Sequence, residues 1–406
     1  MNHPYLSELI ARHVPGHALQ REFYTDPRIF DADMQRMLLR HWFCVAHMSD
    51  LPHAGDFRTV ELGAESVIIV RNRNDEIRAL VNVCRHRGSR VCVAQSGKAV
   101  AGRFTCPYHA WTYDLNGRLI GAPQMGEPFD REQHGLKSLT VRVVAGLIFT
   151  TFASQPLDFT GAERALAQSA RVHGWGQAKV AHRRMYTIQA NWKLAVENYL
   201  ECYHCQPAHP EFTRRHVYAR PARQVESLER EGRRRAEALG ILIPDIDQYA
   251  GAAPQGGESV SVFRSALDEG VESATPDSRP IGRLMGQFSR HDGNSTYMDI
   301  GPVSDFLAYA DHGVIYRFIP RSVLHTDMEV IWLVHEEAIE GADYDVERLI
   351  WLWHVTSLED KKIVELNQAG VNSQFFTPGP YSQQEPYPKR FVEWYLSELS
   401  DVRNDA

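Results

Sequence analysis

The sequence predicts an α+β protein: a helical start, a stretch of short strands, and a larger mixed region that ends on one long helix. Three observations carry this. From about Gly55 the chain breaks into alternating runs, FRTVEL at 57–62 and SVIIV at 66–70, parted by Gly, Asn and Asp. Two later runs, GVIYRFIP at 313–320 and MEVIWLVH at 328–335, have the β-branched and aromatic content of strands. Between about 344 and 368, Val346, Leu349, Trp353, Ile363 and Val364 recur at the helical period.

Taken in order, residues 1–45 read as helical, with Phe30, Met34, Met37 and Leu38 on one apolar stripe that serves packing. Residues 46–155 read as a small all-β domain, and residues 156–406 as a second, mixed domain. In the latter, 161–174 is expected as a helix and 180–189 as a strand. The stretch 217–293 is rich in Arg, Glu, Gly and Pro with weak periodicity, and reads as helices and loops over the site. The strands at 313–320 and 328–335 are joined by a connection containing Pro320 and His325.

With 406 residues, 43% of them hydrophobic and 23% charged, the chain has room for two domains with a substantial core. A net charge of −7 argues against nucleic acid as a partner. The arginines at 230–235 are interrupted by Glu231 and flanked by Glu229 and Glu237, the pattern of a solvated helix face. The first 16 residues carry His, Glu and Arg without a long apolar run, and no stretch reaches the roughly 18 apolar residues of a membrane span. A cytoplasmic location is expected. The six cysteines, Cys44, Cys84, Cys92, Cys106, Cys202 and Cys205, are irregularly spaced and fit reduced thiols and metal ligation better than a disulfide framework.

Two stretches carry chemistry. In NWKLAVENYLECYHCQPAHPEF, residues 191–212, Glu201 and His204 are i and i+3 neighbours on a helix. Pro207 then breaks it so that His209 folds back. Two imidazoles and a carboxylate so placed suit a ferrous site with open positions; the alternative is a polar helix end with incidental histidines. Earlier, Cys84-Arg-His86 and Cys106-Pro-Tyr-His109 form two loops, each offering one sulfur and one nitrogen. That is the ligand set of a Rieske [2Fe-2S] centre. A Cys2His2 zinc site is the alternative, but zinc fingers pair Cys with Cys and His with His in sequence. Cys92 is a bystander. Far downstream, Asp360 sits at the centre of the apolar stripe of the last helix while Glu359 points to its flank. A carboxylate there is costly unless hydrogen-bonded, paired or bound to metal, and neither Lys361 nor Lys362 shares its face, so a metal is preferred.

Together these residues, Cys84-x-His86, Cys106-x-x-His109, Glu201-x-x-His204-x4-His209 and then Asp360, resemble the oxygenase α subunit of the Rieske non-haem iron oxygenases over nearly the whole chain. The resemblance implies an N-terminal Rieske domain and a C-terminal helix-grip catalytic domain. It assigns Cys84, His86, Cys106 and His109 to the [2Fe-2S] cluster, and His204, His209 and Asp360 to mononuclear Fe(II). It also implies a homotrimer, or a hexamer built from it, in which the cluster of one subunit faces the iron of the next. Glu201 is then not a ligand but bridges His204 to His109 of the partner subunit. Most of the family has Asp here. The Glu, the run NWKLAVENYLECYHC and the run from Asp343 to Tyr381 are similar to the branch acting on quaternary ammonium compounds, with glycine betaine monooxygenase, stachydrine demethylase and carnitine monooxygenase.

The activity so implied is that of a terminal oxygenase. A flavin and iron–sulfur reductase supplies electrons from NAD(P)H, and O2 is activated at the iron. One oxygen atom enters a C–H bond next to nitrogen, and the product loses formaldehyde. A trimethylammonium group would want aromatic walls, for which Tyr203, Tyr316, Phe318 and Trp332 are candidates, though each also serves as ordinary core. An aromatic-ring hydroxylase or O-demethylase on the same scaffold is the rival reading. A Rieske electron carrier or a metal-stabilised binding module is the reading outside enzymology, and the second metal set argues against a carrier.

Overall fold

A computed structural model describes residues 4–247 and 257–400. In the first half, the strands are β1 (Phe43–His47), β2 (Asp56–Leu62), β3 (Glu65–Arg71), β4 (Ile77–Val81), β5 (Ser96–Lys98), β6 (Arg103–Thr105), β7 (Thr112–Asp114), β8 (Leu119–Gly121), β9 (Ser138–Val144) and β10 (Leu147–Thr151). Seven of them form one sheet in the order β1-β10-β9-β4-β3-β2-β5, and β6-β7-β8 form a small sheet of their own. β2 and β3 pair antiparallel from Phe57–Val70 to Leu62–Glu65, which is where the alternating runs placed them. The architecture is α+β, as expected.

The second half holds β11 (Ala178–Ile188), β12 (Ile246–Asp247), β13 (Val260–Ala266), β14 (Asn294–Ile300), β15 (Ser304–Ala308), β16 (Gly313–Ser322) and β17 (His325–His335). They make an antiparallel sheet in the order β11-β17-β16-β15-β14-β13-β12. Both faces of its middle are covered. Val314, Tyr316, Val330 and Trp332 pack into the core that includes Leu349 and Trp353 of the helix Val346–Val371. Ile315, Ile331 and Leu333 pack with Trp42, Leu147 and Phe149 from the first half. Burial on both faces is why these strands read as unbroken apolar runs. The Asp345 carboxylate caps the long helix by accepting from Arg348 N at 2.9 Å.

Two expectations are corrected here. The stretch 217–293 is not only helix and loop: it contains the helix Ala222–Ala238 and then β12 and β13, while residues 248–256 lie outside the described part. β13 was hidden because Ser261 and Ser265 are buried along with Val260 and Val262, so apolar/polar alternation does not mark the strand. Pro320 and His325 do not lie in a connection; they belong to β16 and β17, whose pairing closes with Ser322 opposite His325. Pro320 is tolerated beside a register shift, where the ladder is interrupted.

The N-terminal segment is helical over Pro4–Ala11, Arg21–Thr25 and Pro27–Asp33, and β1 follows it from Phe43. It anchors the helix Trp192–Tyr199, which leads into the candidate metal site. Lys193, wholly buried, pairs with Asp33, whose other oxygen accepts from Tyr395 Oη at 2.5 Å. One turn on, Glu197 accepts from Tyr24 at 2.9 Å and Tyr381 at 2.8 Å. The two halves of the chain meet through charge: Arg183 joins Asp50 at 2.5 Å and Glu329 at 3.3 Å, and Arg321 joins Glu61 at 2.8 Å.

Candidate metal centres and cavity

Asn191 caps the helix Trp192–Tyr199 by accepting from Lys193 N at 3.1 Å, and the helix ends before Glu201. Glu201 and His204 are therefore not helical neighbours as expected. They lie in a tight turn, where Glu201 Oε2 accepts the N–H groups of Tyr203 and, at 3.2 Å, His204. Pro207 sits inside the short helix Cys205–Ala208, and the bend comes at His209, φ −123° and ψ 73°, before the helix Pro210–Thr213. The turn also brings Cys202 and Cys205 to a Cα separation of 4.8 Å, within disulfide range, and the two are bonded. This departs from the expectation of reduced thiols and metal ligation; Cys44, Cys84, Cys92 and Cys106 are in no disulfide.

His204, His209 and Asp360 converge, bringing together residues 151 or more positions apart. His204 Nε2 is 3.1 Å from His209 Nε2 and 3.2 Å from Asp360 Oδ1; His209 Nε2 is 2.9 Å from the same oxygen. Three donors held at right angles on one ion, with bonds of about 2.1 Å, stand about 3 Å apart, so the triangle fits one face of an octahedral ion. Each imidazole has its other nitrogen on a carboxylate: His204 Nδ1 on Glu201 Oε1 at 2.5 Å, His209 Nδ1 on Glu359 Oε2 at 2.8 Å. Those carboxylates hold the ring protons on Nδ1 and leave both Nε2 lone pairs facing the same point. Burial pulls the His204 pKa down, but its bonds to Asp360 and Glu201 outweigh this and push it up to about 9. The spot attracts positive charge, as a site built for a cation should. Glu359 is thus no bystander on the helix flank, and Asn198, whose amide lies 3.3 Å from His204 Nε2, was also missed.

The other set lies on loops around the small sheet. Cys84 and Cys106 are buried, while His86 and His109 are exposed with ring centroids 4.6 Å apart. His86 stacks on buried Trp111 at 4.9 Å. The Tyr113 hydroxyl is 3.3 Å from Cys84 Sγ and accepts from Arg85 N at 3.1 Å. Two buried sulfurs on one side and two exposed imidazoles on the other suit a cluster whose imidazole edge is open to a partner.

Comparison with known proteins decides the family. The model of the Rieske [2Fe-2S] domain matches residues 41–143, and that of the ring hydroxylating alpha subunit catalytic domain matches residues 175–401. The glycine betaine monooxygenase oxygenase subunit of Chromohalobacter salexigens is 35% identical over 402 residues, 97% of this chain and 88% of that one. This chain is a Rieske non-haem iron oxygenase α subunit. The oxygenase is also 39% identical to the carnitine monooxygenase oxygenase subunit of Escherichia coli K12 over 199 residues, 47% of this chain and 52% of that one. In fold it is similar to the quaternary ammonium Rieske monooxygenase CntA, with a TM-score of 0.73 and 23% identity over 97% of this chain and 98% of that one. As a member of this family it carries a Rieske [2Fe-2S] domain and a catalytic domain for mononuclear iron.

In the oxygenase, His204, His209 and Asp360 open onto a cavity of about 520 Å³. None of the four aromatic residues suggested from the sequence lines it. Tyr203 is 54% exposed on the outside of the turn, and Tyr316, Phe318 and Trp332 are buried in the core. The aromatic lining comes instead from Tyr199, Phe212 and Trp353 and from Tyr218, Phe263, Tyr297 and Tyr387. Phe263 stacks between Tyr297, at 4.8 Å and 4°, and Tyr387, at 5.7 Å and 14°. Phe263 lay in the stretch read as loops; once β13 is paired with β14, Phe263 falls opposite Tyr297. No helix among the described residues is long and apolar enough to cross a membrane.

Proposed function

We propose that the chain is the terminal oxygenase of a system that demethylates a quaternary or tertiary amine resembling betaine, releasing formaldehyde. The observation that carries this is the stacked aromatic wall of Phe263, Tyr297 and Tyr387 in the same cavity as the His204, His209 and Asp360 donors. A methylated ammonium group has no N–H to donate, so aromatic faces are its natural contacts, each contributing about 0.5 to 2 kcal/mol. The relatives named as glycine betaine and carnitine monooxygenase oxygenase subunits support the same substrate class.

In this reading His204, His209 and Asp360 hold Fe(II), and Cys84, His86, Cys106 and His109 hold the [2Fe-2S] cluster. When bound, the two groups supply oxygen activation and single electrons. The chain's own part is to orient and to gate. Glu201 and Glu359 keep the Nδ1 protons in place, and the aromatic wall holds a methyl group toward the metal site. Glu201 is the bridge toward His109 of the partner subunit in a homotrimer, or a hexamer built from it. The oxygenase works in the cytoplasm, where a flavin and iron–sulfur reductase delivers the electrons from NAD(P)H.

The test is O2 uptake with formaldehyde release on adding glycine betaine or stachydrine, against a panel of benzoates, with reductase and NADH present. Formaldehyde coupled to NADH use with the amines is expected. Coupled turnover of the aromatic acids alone would replace this reading by ring hydroxylation or O-demethylation.

A further inference from the structure

Two acidic side chains stand where the cavity has no use for them in the iron chemistry. Asp299 of β14 lines the cavity on the same strand face as Tyr297, two residues away. Directly opposite it on β15 is Asp305. They are only 6% and 4% exposed, and among the described residues no lysine, arginine or histidine is paired with either. Asp299 Oδ2 accepts from Ser261 Oγ at 2.6 Å, whereas Asp305 Oδ2 has no hydrogen-bond partner. A third polar atom shares this surround: the Tyr199 hydroxyl, also buried without a partner, on a cavity-lining ring. Burial and then the nearby Asp305 and Asp299 push its pKa well up.

Carboxylates buried without a cation are rare, because desolvation disfavours the charge. Here burial pushes Asp299 up to about 6 and Asp305 well above its ordinary value, so the two share a proton and carry one negative charge between them at neutral pH. Arg264, the one arginine or lysine among the described lining residues, does not balance it. Its guanidinium is tied to Asp292 at 2.7 Å. The cavity therefore holds an aromatic wall and an uncompensated negative charge, with unpartnered polar atoms beside it.

We propose that Asp299, backed by Asp305, is the counter-charge that makes this cavity select a cationic methylated ammonium group over a neutral group of the same shape. The aromatic wall fits the methyl groups, and Asp299 supplies the long-range attraction that a neutral tert-butyl group does not feel. In a water-poor cavity that attraction is much stronger than at the surface. The role is one of specificity, and it rests on the proposed amine reading of the same site.

The experiment is calorimetric titration of the full-length, metal-loaded protein with choline and with its uncharged isostere 3,3-dimethylbutan-1-ol. The native protein is expected to prefer the cation by about tenfold or more. Asp299→Asn combined with Asp305→Asn, which leaves neither carboxylate to carry the shared charge, should abolish that preference while the neutral alcohol still binds. Asp305→Asn alone, which keeps the Asp299 charge, should retain it. If the double asparagine variant does not fold, Asp299→Ser with Asp305→Asn offers the same loss of charge with a hydroxyl for Ser261. Equal binding of the two probes by the native protein, or a preference that survives loss of both carboxylates, overturns the proposal. Failure of the amine reading looks different: charge-selective binding with no formaldehyde from any methylated amine removes the demethylase and leaves the counter-charge standing.

Discussion

The two candidate metal centres are built in opposite ways. The candidate cluster ligands sit in two short loops of four residues or fewer, around a small sheet, with His86 and His109 exposed. The candidate mononuclear ligands come from a turn at 201–209 and from a helix about 150 residues later, with His209 buried. In the first, most of the geometry is local and covalent. In the second, the carboxylate arrives only because the long helix packs against the helix Trp192–Tyr199 and the sheet. The difference shows what each centre depends on: loop conformation for the cluster, tertiary packing and outer carboxylates for the iron.

The sharpest way to separate them is Asp360→Ala. Metal analysis should fall from about three irons per chain to about two, turnover should vanish, and the Rieske electron-spin signal should stay intact. Loss of both centres together would show that they are one structural unit. Next in size, Glu201→Gln should keep both centres loaded yet lower turnover about 10- to 100-fold, since it weakens an outer contact and no bond to metal. Loss of mononuclear iron would instead make Glu201 a ligand. Glu359→Gln should weaken mononuclear iron binding about tenfold by loosening the hold on His209 Nδ1, read by metal competition, with the cluster spectrum unchanged. The smallest effect belongs to the other centre. Tyr113→Phe removes the hydroxyl beside Cys84 Sγ and should lower the cluster potential by a few tens of millivolts in redox titration, with iron content unchanged.

Legibility in the sequence followed the same divide. Cys84, His86, Cys106 and His109 could be picked out because each pair lies within four residues. Asp360 could be picked out because a carboxylate in an apolar helical stripe needs a reason. Glu359 was missed since helical geometry places it on the flank; only its contact with His209 gives it a role. The cavity wall was missed for another reason. β13 and β14 bury serines and carboxylates beside aromatic rings, so the alternation that marked β2 and β3 is absent there. Tyr316, Phe318 and Trp332 were conspicuous strand aromatics, yet they are buried in the core, Tyr316 against Trp353, Phe318 against Tyr199 and Trp332 against His182.

The sequence by itself determined the α+β plan, the family, and the candidate metal ligands, because ligand types and short spacings are written in the chain. Tertiary structure alone decided which aromatic rings line the cavity, that Glu201 caps a turn and not a helix, and that Asp299 and Asp305 stand buried opposite each other. Those depend on strand register and on which side chains lose water together, and neither is a property of any single stretch of sequence.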